Sequence, residues 1–444
     1  MKKMNKKGFT IVELVIVIAV IAILAAVLIP TFISLVDKAN RSADQQAVRQ
    51  MNTALAIDGA VVPTDIFKLH EVLSELGMTS EDYHPLTKDT YFFWDSDLNR
   101  VLHVDKDYKV IAPAEYAGQT YVAGTSNWYS LSLEIAAVAP ENFNGNANTV
   151  TVSTGSEMQY VLNALAEGKV GKGTETYTVN LDGTIDMMGA AFELPNFKEN
   201  ANYNIAITGG TIKNATAVDY AQEAISDKAG QDGVYYCALI PSVSNGNTVT
   251  LKDIVIENMS VKNTNASNVA FLIGSVQGKT AVANLANITI KNSTIIGHRN
   301  TGALVGLVGT NGTLNISGKI ELNNVDVKTV GGRSGMLIGY GYANVNVDPA
   351  TDITLTDCSY GIYECAQNTG SETVYNEDKK IEEKVNLGLQ SNGQLYSYAT
   401  ALVDSKYVNQ LETKYYVENA LYMSASTTGN TTDFYGVAVK GWNK

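Results

Sequence analysis

The sequence predicts an α+β protein, in which one long N-terminal helix precedes a small α/β hairpin unit and a mostly β head. Three observations support this prediction: an unbroken apolar run near the N-terminus, short strand-like segments separated by turn residues, and an internal repeat. The chain has 444 residues, 45% of them apolar and 17% charged, which suits two or three folded units and excludes a disordered tail.

The charge distribution argues against a nucleic-acid partner. The formal net charge is −13, and a dense basic cluster lies within the first eight residues, at Lys2, Lys3, Lys6 and Lys7. Without those four positive charges the remaining chain carries −13 minus 4, or −17. A surface that acidic repels phosphate backbones, so we predict no binding to nucleic acid.

The N-terminal apolar run is long enough to cross a membrane. Residues 9–29 contain 21 residues, of which Thr10 and Glu13 are polar. A helix of that length spans ~31 Å, close to the hydrocarbon thickness of a bilayer. The lysines before the run predict a cytoplasmic N-terminus and an exported remainder by the positive-inside rule.

Glu13 is the unusual residue of this run, because a carboxylate within hydrocarbon costs roughly 2.5 to 3.5 kcal/mol. One simple explanation is a chance acid that reaches the interface with its side chain. Another is a secretory signal peptide cleaved near Ala25 and Ala26. The helical pattern continues past those alanines, which disfavours cleavage there.

Residues 6–14, Lys-Lys-Gly-Phe-Thr-Ile-Val-Glu-Leu, resemble the cleavage and methylation motif of type IV prepilins and type II secretion pseudopilins. The resemblance implies that a membrane aspartic prepilin peptidase cuts between Gly8 and Phe9, and that Phe9 is then N-methylated. It also implies that Glu13 pairs with the new ammonium group of a neighbouring subunit, which would neutralise two charges in hydrocarbon. Pro30 falls where many helices of this family carry a kink.

The predicted helix continues beyond Pro30 with a different pattern. An apolar stripe recurs at three- or four-residue steps, which indicates an amphipathic half. Its members are Phe32, Val36, Ala39, Ala43, Ala47, Met51 and Leu55. A helix from Phe9 to about Ala56 would be ~72 Å long, a pilin-like spine.

A small α/β unit is predicted over residues 63–116. Asp65 to Leu76 reads as a helix that Thr64 caps and Gly77 ends. Three strands follow, at Tyr91–Trp94, Arg100–Val104 and Tyr108–Ile111. We expect this unit to pack on the exposed half of the spine.

The head is predicted to be a right-handed parallel β-helix over residues 150–369. Three segments align with asparagines 34 and 32 residues apart, at Ile256–Lys262, Ile290–Ile296 and Leu322–Lys328. Each precedes a short apolar strand that we expect to end in glycine, at Gly274, Gly306 and Gly339. Ser156–Gly168 and Tyr177–Leu181 resemble the capping helix and first strand of pectate-lyase-like β-helices. A β-sandwich of antiparallel strands is the alternative.

The predicted organisation has seven segments. They are a leader peptide (1–8), a transmembrane helix (9–29), its amphipathic continuation (30–62), the small α/β unit (63–116), a linker (117–149), the solenoid head (150–369) and a tyrosine-rich C-terminal region (370–444).

Two features of the head have alternative explanations. The repeated asparagines suit either left-handed turns or a stacked amide ladder. Cys358 and Cys365 are seven residues apart and could close a disulfide, although small buried thiols inside the coils explain them equally well.

No catalytic site is predicted, and neither a cofactor nor a metal is expected. The acids of the repeat region are scattered: Asp253, Glu257, Asp326, Asp352 and Asp357. Asp326 and Asp357 could stack, but exposed positions are the simpler explanation. The four histidines lack metal-ligand spacing: His70, His84, His103 and His298.

Three functional hypotheses follow. The first is a non-enzymatic pilin or minor pilin, a membrane protein before assembly and an extracellular filament subunit afterwards, whose head serves display or adhesion. Its partners would be the prepilin peptidase, other pilin subunits, a membrane assembly platform and a surface glycan or host ligand. The second is a pseudopilin of a secretion system. The third is a surface-anchored carbohydrate-binding or carbohydrate-active protein.

Overall fold

The structure is a computed structural model, and its chain divides into two compact units. One comprises residues 1–64 and 68–122, and the other comprises residues 65–67 and 123–444. The structure describes residues 11–57, 62–75, 77–122, 125–191, 202–217, 220–221, 235–263, 268–297, 300–309, 311–329, 333–335, 337–341, 345–348, 350–362, 371–376 and 381–386.

The first unit contains the long helix and a hairpin sheet. Helix α1 runs from Ile11 to Leu55 and α2 from Ile66 to Glu75. Strands β1, β2 and β3 pair antiparallel in the order β3-β2-β1. They span Thr90–Asp95, Arg100–Asp105 and Val110–Ala112. These elements confirm the long helix and the small α/β hairpin unit.

The third strand begins later than the sequence suggested. Tyr108 was assigned to the strand, but it lies in a left-handed turn with φ of 56°. Asp105 closes this turn, because its side-chain Oδ1 accepts the backbone N–H groups of Asp107 and Lys109. The strand can therefore start only at Val110.

The second unit opens with β4 (Trp128–Ser130), β5 (Thr149–Val152), α3 (Gly155–Ala166) and β6 (Tyr177–Leu181). Helix α3 has a complete capping box, in which Thr154 and Glu157 satisfy each other's backbone N–H groups. The predicted helix and the strand after it are present, but Tyr177–Leu181 is not the first strand, because β5 pairs with it from the end of the sheet. β4 lies inside the segment that we expected to be a linker.

The head itself is a parallel solenoid of about five turns. Its strands are β7 (Thr184–Asp186), β8 (Asn204–Thr208), β9 (Thr211–Lys213), β10 (Tyr220–Ala221), β11 (Tyr235–Cys237), β12 (Ile240–Val243), β13 (Thr248–Glu257), β14 (Ser260–Lys262), β15 (Asn268–Ala270), β16 (Ile273–Val276), β17 (Val282–Gly297), β18 (Asn300–Gly302), β19 (Val305–Val308), β20 (Thr313–Thr329), β21 (Arg333–Gly335), β22 (Ile338–Gly341), β23 (Val345–Val347), β24 (Asp352–Thr356) and β25 (Ser359–Ile362). A separate antiparallel hairpin follows, β26 (Ser371–Asn376) with β27 (Ile381–Asn386).

Three sheets form the wall of the solenoid. The largest has the order β23-β20-β17-β13-β8-β6-β5, and the other two have the orders β10-β11-β15-β18-β21 and β12-β16-β19-β22. Ile256 pairs with Ile290, and Ile290 with Leu322, so the predicted repeats stack in parallel. The parallel β-helix is confirmed and the antiparallel β-sandwich is wrong; the handedness stays a prediction.

The repeated asparagines combine both roles that the sequence left open. Asn214, Asn258, Asn292 and Asn324 all have φ between 50° and 54°. Asn324 Nδ2 also donates to Asn292 Oδ1 over 3.0 Å, and Asn258 Nδ2 to Asn214 Oδ1 over 3.5 Å. The same side chain therefore turns the chain and bonds to the adjacent coil.

The glycines after the repeats have a different role from the one predicted. Gly274, Gly306 and Gly339 lie inside β16, β19 and β22 instead of ending them. A Cβ on Gly306 would lie 2.6 Å from the Gly274 carbonyl oxygen, and one on Gly339 would lie 2.4 Å from the Thr301 backbone nitrogen. The backbones approach too closely here for any side chain.

The largest sheet turns two faces outward, the threonine–asparagine face and the charged face. Alternate residues on the N-terminal parts of its strands form the threonine–asparagine face: Thr149, Thr151, Thr178, Asn180, Asn204, Ala206, Thr208, Thr248, Thr250, Lys252, Val282, Asn284, Ala286, Thr313, Asn315, Ser317 and Asn346. Past a corner at Asp253, Asn287 and Gly318 comes the charged face: Thr184, Asp186, Thr211, Lys213, Val255, Glu257, Thr289, Lys291, Glu321, Asn323, Thr354 and Thr356.

Charges alternate from coil to coil along the charged face. In the register of neighbouring strands, Asp186 lies opposite Lys213, Lys213 opposite Glu257, and Glu257 opposite Lys291. The last two form an ion pair, with Lys291 Nζ 3.2 Å from Glu257 Oε2. The stack of Asp326 on Asp357 does not form, because the register places Asp326 opposite Ser359.

Candidate assembly segment in the N-terminal helix

The first half of α1 has no buried side chain among those the structure describes. Between Ile11 and Val36 the large apolar residues are 40 to 82% exposed. Within the described residues, this is the one helix long and apolar enough to cross a membrane. No described residue of the first unit covers this surface, which suits contact with lipid or with another protein.

The second half of α1 packs on the hairpin sheet of the first unit. Val48, Met51 and Leu55 are buried, with Met51 fully inaccessible. Asn52 joins the helix to β2, because its side-chain amide donates to the Val101 carbonyl and its Oδ1 accepts the Val101 N–H. These contacts fix the helix on the sheet along one side.

The buried side of this half differs from the stripe that the sequence predicted. Ala39 and Ala43 are exposed, whereas Asp44 is only 2% exposed. The Asp44 carboxylate accepts the backbone N–H groups of Leu86 and Thr87, at 2.7 and 3.0 Å. Apolar periodicity could not identify a buried acid that is satisfied by a distant loop, so the predicted stripe is wrong at these positions.

His103 completes this buried polar group and was also missed. It is fully inaccessible, and its Nε2 lies 3.9 Å from Asp44 Oδ2. Within the described part of the chain, neither ring nitrogen has a hydrogen-bond partner. Burial lowers the pKa of His103 below its usual 6.5; the Asp44 carboxylate opposes that shift and Arg41 adds to it. The neutral form is favoured in the fold.

The residues expected to direct processing are mostly outside the structure's description. Gly8 and Phe9 lie in residues 1–10, before the described part of the chain. Glu13 lies on α1, but its side chain is not described. Pro30 lies inside α1, which continues on both sides of it, so the kink stays a prediction.

The cysteines give no test of the expected disulfide. Cys358 is partly buried, its Sγ contacts the Thr356 carbonyl at 3.2 Å, and burial raises the pKa of its thiol. Cys365 lies outside the described residues, as does His298. The described residues hold no group of three or more His, Cys, Asp or Glu side chains placed to bind a metal.

Comparison with known families identifies the N-terminus. A family described as "Prokaryotic N-terminal methylation motif" matches residues 3–29. The chain has the N-terminus of a type IV pilin-like prepilin. This prepilin segment includes the apolar first half of α1, whose surface is uncovered in the fold.

The chain is also similar to two pilus proteins of Thermus thermophilus. It is 41% identical to "Type IV narrow pilus major component PilA5" over 64 residues, 14% of this chain and 55% of that protein. It is 64% identical to "Type IV wide pilus major component PilA4" over 36 residues, 8% of this chain and 28% of that protein. The chain thus spans about half the length of the first relative and little over a quarter of the second.

Among solved structures, the chain is similar to a provisionally named immunoglobulin A1 protease from Bacteroides ovatus. The identity is 11% and the TM-score 0.29, with 50% of this chain and 69% of that chain covered. A TM-score that low does not establish a shared fold.

Proposed function

We propose that the protein is a structural subunit, a pilin or minor pilin, of an extracellular type IV pilus-like filament. The observation that supports this most directly is the uncovered apolar half of α1 behind a prepilin motif. Its partners are the prepilin peptidase, other pilin subunits and a membrane assembly platform. The lysines before α1 favour a cytoplasmic N-terminus, so the head is exported.

The size of the uncovered surface explains why a partner is required. Seventeen large apolar side chains from Ile11 to Val36 are exposed. Burying such side chains gives about 1.5 to 3 kcal/mol each, so this surface represents roughly 25 to 50 kcal/mol of unused hydrophobic stabilisation. A bilayer supplies that burial before assembly, and the packed helices of neighbouring subunits supply it in a filament.

Processing would create the charge that Glu13 needs. Cutting between Gly8 and Phe9 removes four lysines and leaves an ammonium group at Phe9. In a filament, this ammonium group pairs with Glu13 of an adjacent subunit, so both charges are neutralised in an apolar core. Glu13 therefore fixes the axial register of one subunit against the next.

The solenoid suits display or adhesion better than the short fibre of a pseudopilin. A head of about five coils is wide relative to one helix and must be carried on the outside of a filament or at its tip. Each coil is stabilised by its neighbours, so the described strands expose long side-chain columns on the surface of the sheet.

The test is the mature N-terminus and the filament yield. Mass spectrometry of the mature protein is expected to find methylated Phe9 as its first residue. Glu13→Ala is expected to be exported and cleaved but to give at least tenfold less filament. Thr10→Ala, which removes the other polar side chain of the run, serves as the matched control and is expected to assemble normally.

Two results would contradict the proposal. Retention of residues 1–8 in the working protein would exclude prepilin processing. Normal filament yield from Glu13→Ala would exclude the role of Glu13 in register.

A further inference from the structure

We propose that the threonine–asparagine face of the solenoid binds a neutral polysaccharide along the solenoid axis. This inference rests on the proposed function and deepens it, because it names the place and the partner class of the displayed head. The face consists of parallel side-chain columns that cross seven stacked strands, from β5 to β23.

The face is accessible and its side chains are held in order. Each of its residues is half-buried or exposed, whereas the alternating inward residues, such as Val249 and Leu285, are at most 1% exposed. Asn284 Nδ2 donates to Thr250 Oγ1 at 3.1 Å, and Asn315 Nδ2 donates to Asn284 Oδ1 at 2.8 Å. Asn346 extends the same column by donating to Asn315 at 2.9 Å.

These bonds leave hydrogen-bonding groups available to a ligand. An amide nitrogen carries two hydrogens, and each ladder bond uses one of them, so a second N–H per asparagine remains available. The threonine hydroxyls both donate and accept. Because the amides are fixed by the ladder, a ligand meets groups whose rotamer entropy is already lost, which lowers the cost of binding.

The composition of the face excludes other partner classes. Its one charged residue is Lys252, so it cannot neutralise the phosphates of nucleic acid or a polyanion. It contains no aromatic residue, methionine or arginine, the residue types that dominate protein interfaces. It also lacks the apolar side and basic rim that membrane-surface binding needs.

A neutral polysaccharide is the partner class that fits the uncharged polar groups of the face. Sugar hydroxyls donate and accept hydrogen bonds, as the threonine and asparagine groups do. Successive coils are separated by ~4.8 Å, close to the advance of one hexose along an extended glycan, so each coil can meet one sugar. The chain as a whole carries −13, which repels acidic polymers but leaves an uncharged polymer unaffected at this face.

The contacts are shallow, so one head binds weakly and a filament binds well. No aromatic ring is present on the face for a sugar to stack upon. Affinity then comes from many hydrogen bonds per chain and from many heads per filament. This dependence on copy number agrees with a role on a polymeric subunit.

The test uses the full mature chain in detergent micelles, with retention on microcrystalline cellulose, chitin and β-mannan as the neutral probes and polygalacturonate as the acidic one. The face variant is Thr248→Lys with Thr313→Lys, two outward positions with no side-chain role in the asparagine ladder. The matched control is Thr211→Lys with Thr289→Lys, which makes the same change on the charged face. Circular dichroism verifies that both variants keep the solenoid.

The wild type is expected to be retained on at least one neutral polymer and not on polygalacturonate. The face variant is expected to lose at least tenfold of that retention, and the control to lose less than twofold. Equal loss in both variants, retention on polygalacturonate alone, retention on none of the neutral polymers, or a self-association that the face variant abolishes would overturn the inference. Both variants are expected to keep methylated Phe9 and normal filament yield, so failure here is separable from failure of the proposed filament role.

Discussion

The solenoid and the first half of α1 differ in how their apolar side chains are covered. In the solenoid, each coil is covered by the next, and Ile256, Ile290 and Leu322 are all inaccessible within one stacked column. In the first half of α1, comparable side chains such as Ile18 and Ile21 remain 57 to 59% exposed. The difference indicates that the described coils cover one another's apolar side chains, whereas the apolar surface of the helix suits contact with lipid or with another protein.

The largest expected effect on stability comes from adding a side chain at Gly306, where two backbone segments of the solenoid are in close contact. Gly306→Val is expected to prevent cooperative folding of the head, because its Cβ would meet the Gly274 carbonyl oxygen at 2.6 Å and the Val269 nitrogen at 2.8 Å. Backbone atoms cannot rotate away, so the cost exceeds the ~1 to 3 kcal/mol typical of overpacking. Thermal unfolding followed by circular dichroism measures the effect.

The matched control for that change is Gly145→Val. Nothing lies within 4 Å of a Cβ at Gly145, and its φ is not in the left-handed region. Its melting temperature is expected to stay within about two degrees of wild type. A cooperative, wild-type transition in Gly306→Val would show that the close approach of the sheets is not required.

A second pair of variants compares the two halves of α1 directly. Met51→Ala removes a fully buried side chain and is expected to cost about 2 to 5 kcal/mol of unfolding free energy, measured by urea titration in detergent. Ile18→Ala removes an exposed one and is expected to leave that free energy unchanged while lowering filament yield. Reversed effects in the two variants would contradict the division of the helix into a docked half and an open half.

The smallest expected effect is a pH dependence of the first unit. Because burial lowers the pKa of His103 in the fold, the unfolded chain binds the proton more readily below about pH 6.5. Stability conferred by the neutral ring is therefore present above that pH and is lost as the pH falls. Urea midpoints at about pH 7.5 and about pH 5 are expected to show the decrease.

His103→Leu is expected to reduce this decrease, since the variant has no ring to protonate. His84→Gln, at an exposed position, is the control and is expected to retain it. The same decrease in His103→Leu as in wild type would assign the pH dependence to groups other than His103.

Sequence patterns identified the elements whose signals are local. The apolar run predicted α1, the resemblance over Ser156–Gly168 agrees with α3 at Gly155–Ala166, and the repeated asparagines predicted the corners of the coils. The processing residues Gly8, Phe9 and Glu13 came from a motif and stay predictions at the level of side chains.

The features that the sequence did not reveal depend on contacts between residues that are distant in sequence. Asp44 is buried because the N–H groups of residues 86 and 87 satisfy it, 42 and 43 positions away. Gly306 lies inside a strand because two sheets nearly touch, which no local pattern records. The threonine–asparagine face became visible only when the register brought residues of seven strands into common columns.

Because the coils are stacked, the length of the head can change by whole coils. Corresponding residues recur after 34 positions from Thr248 to Val282 and after 31 from Val282 to Thr313, yet both intervals close one coil. Duplication or loss of one such interval would lengthen or shorten the head by ~4.8 Å and leave the N-terminal helix untouched. Relatives with longer or shorter heads on the same helix would therefore differ in length by a whole number of coils.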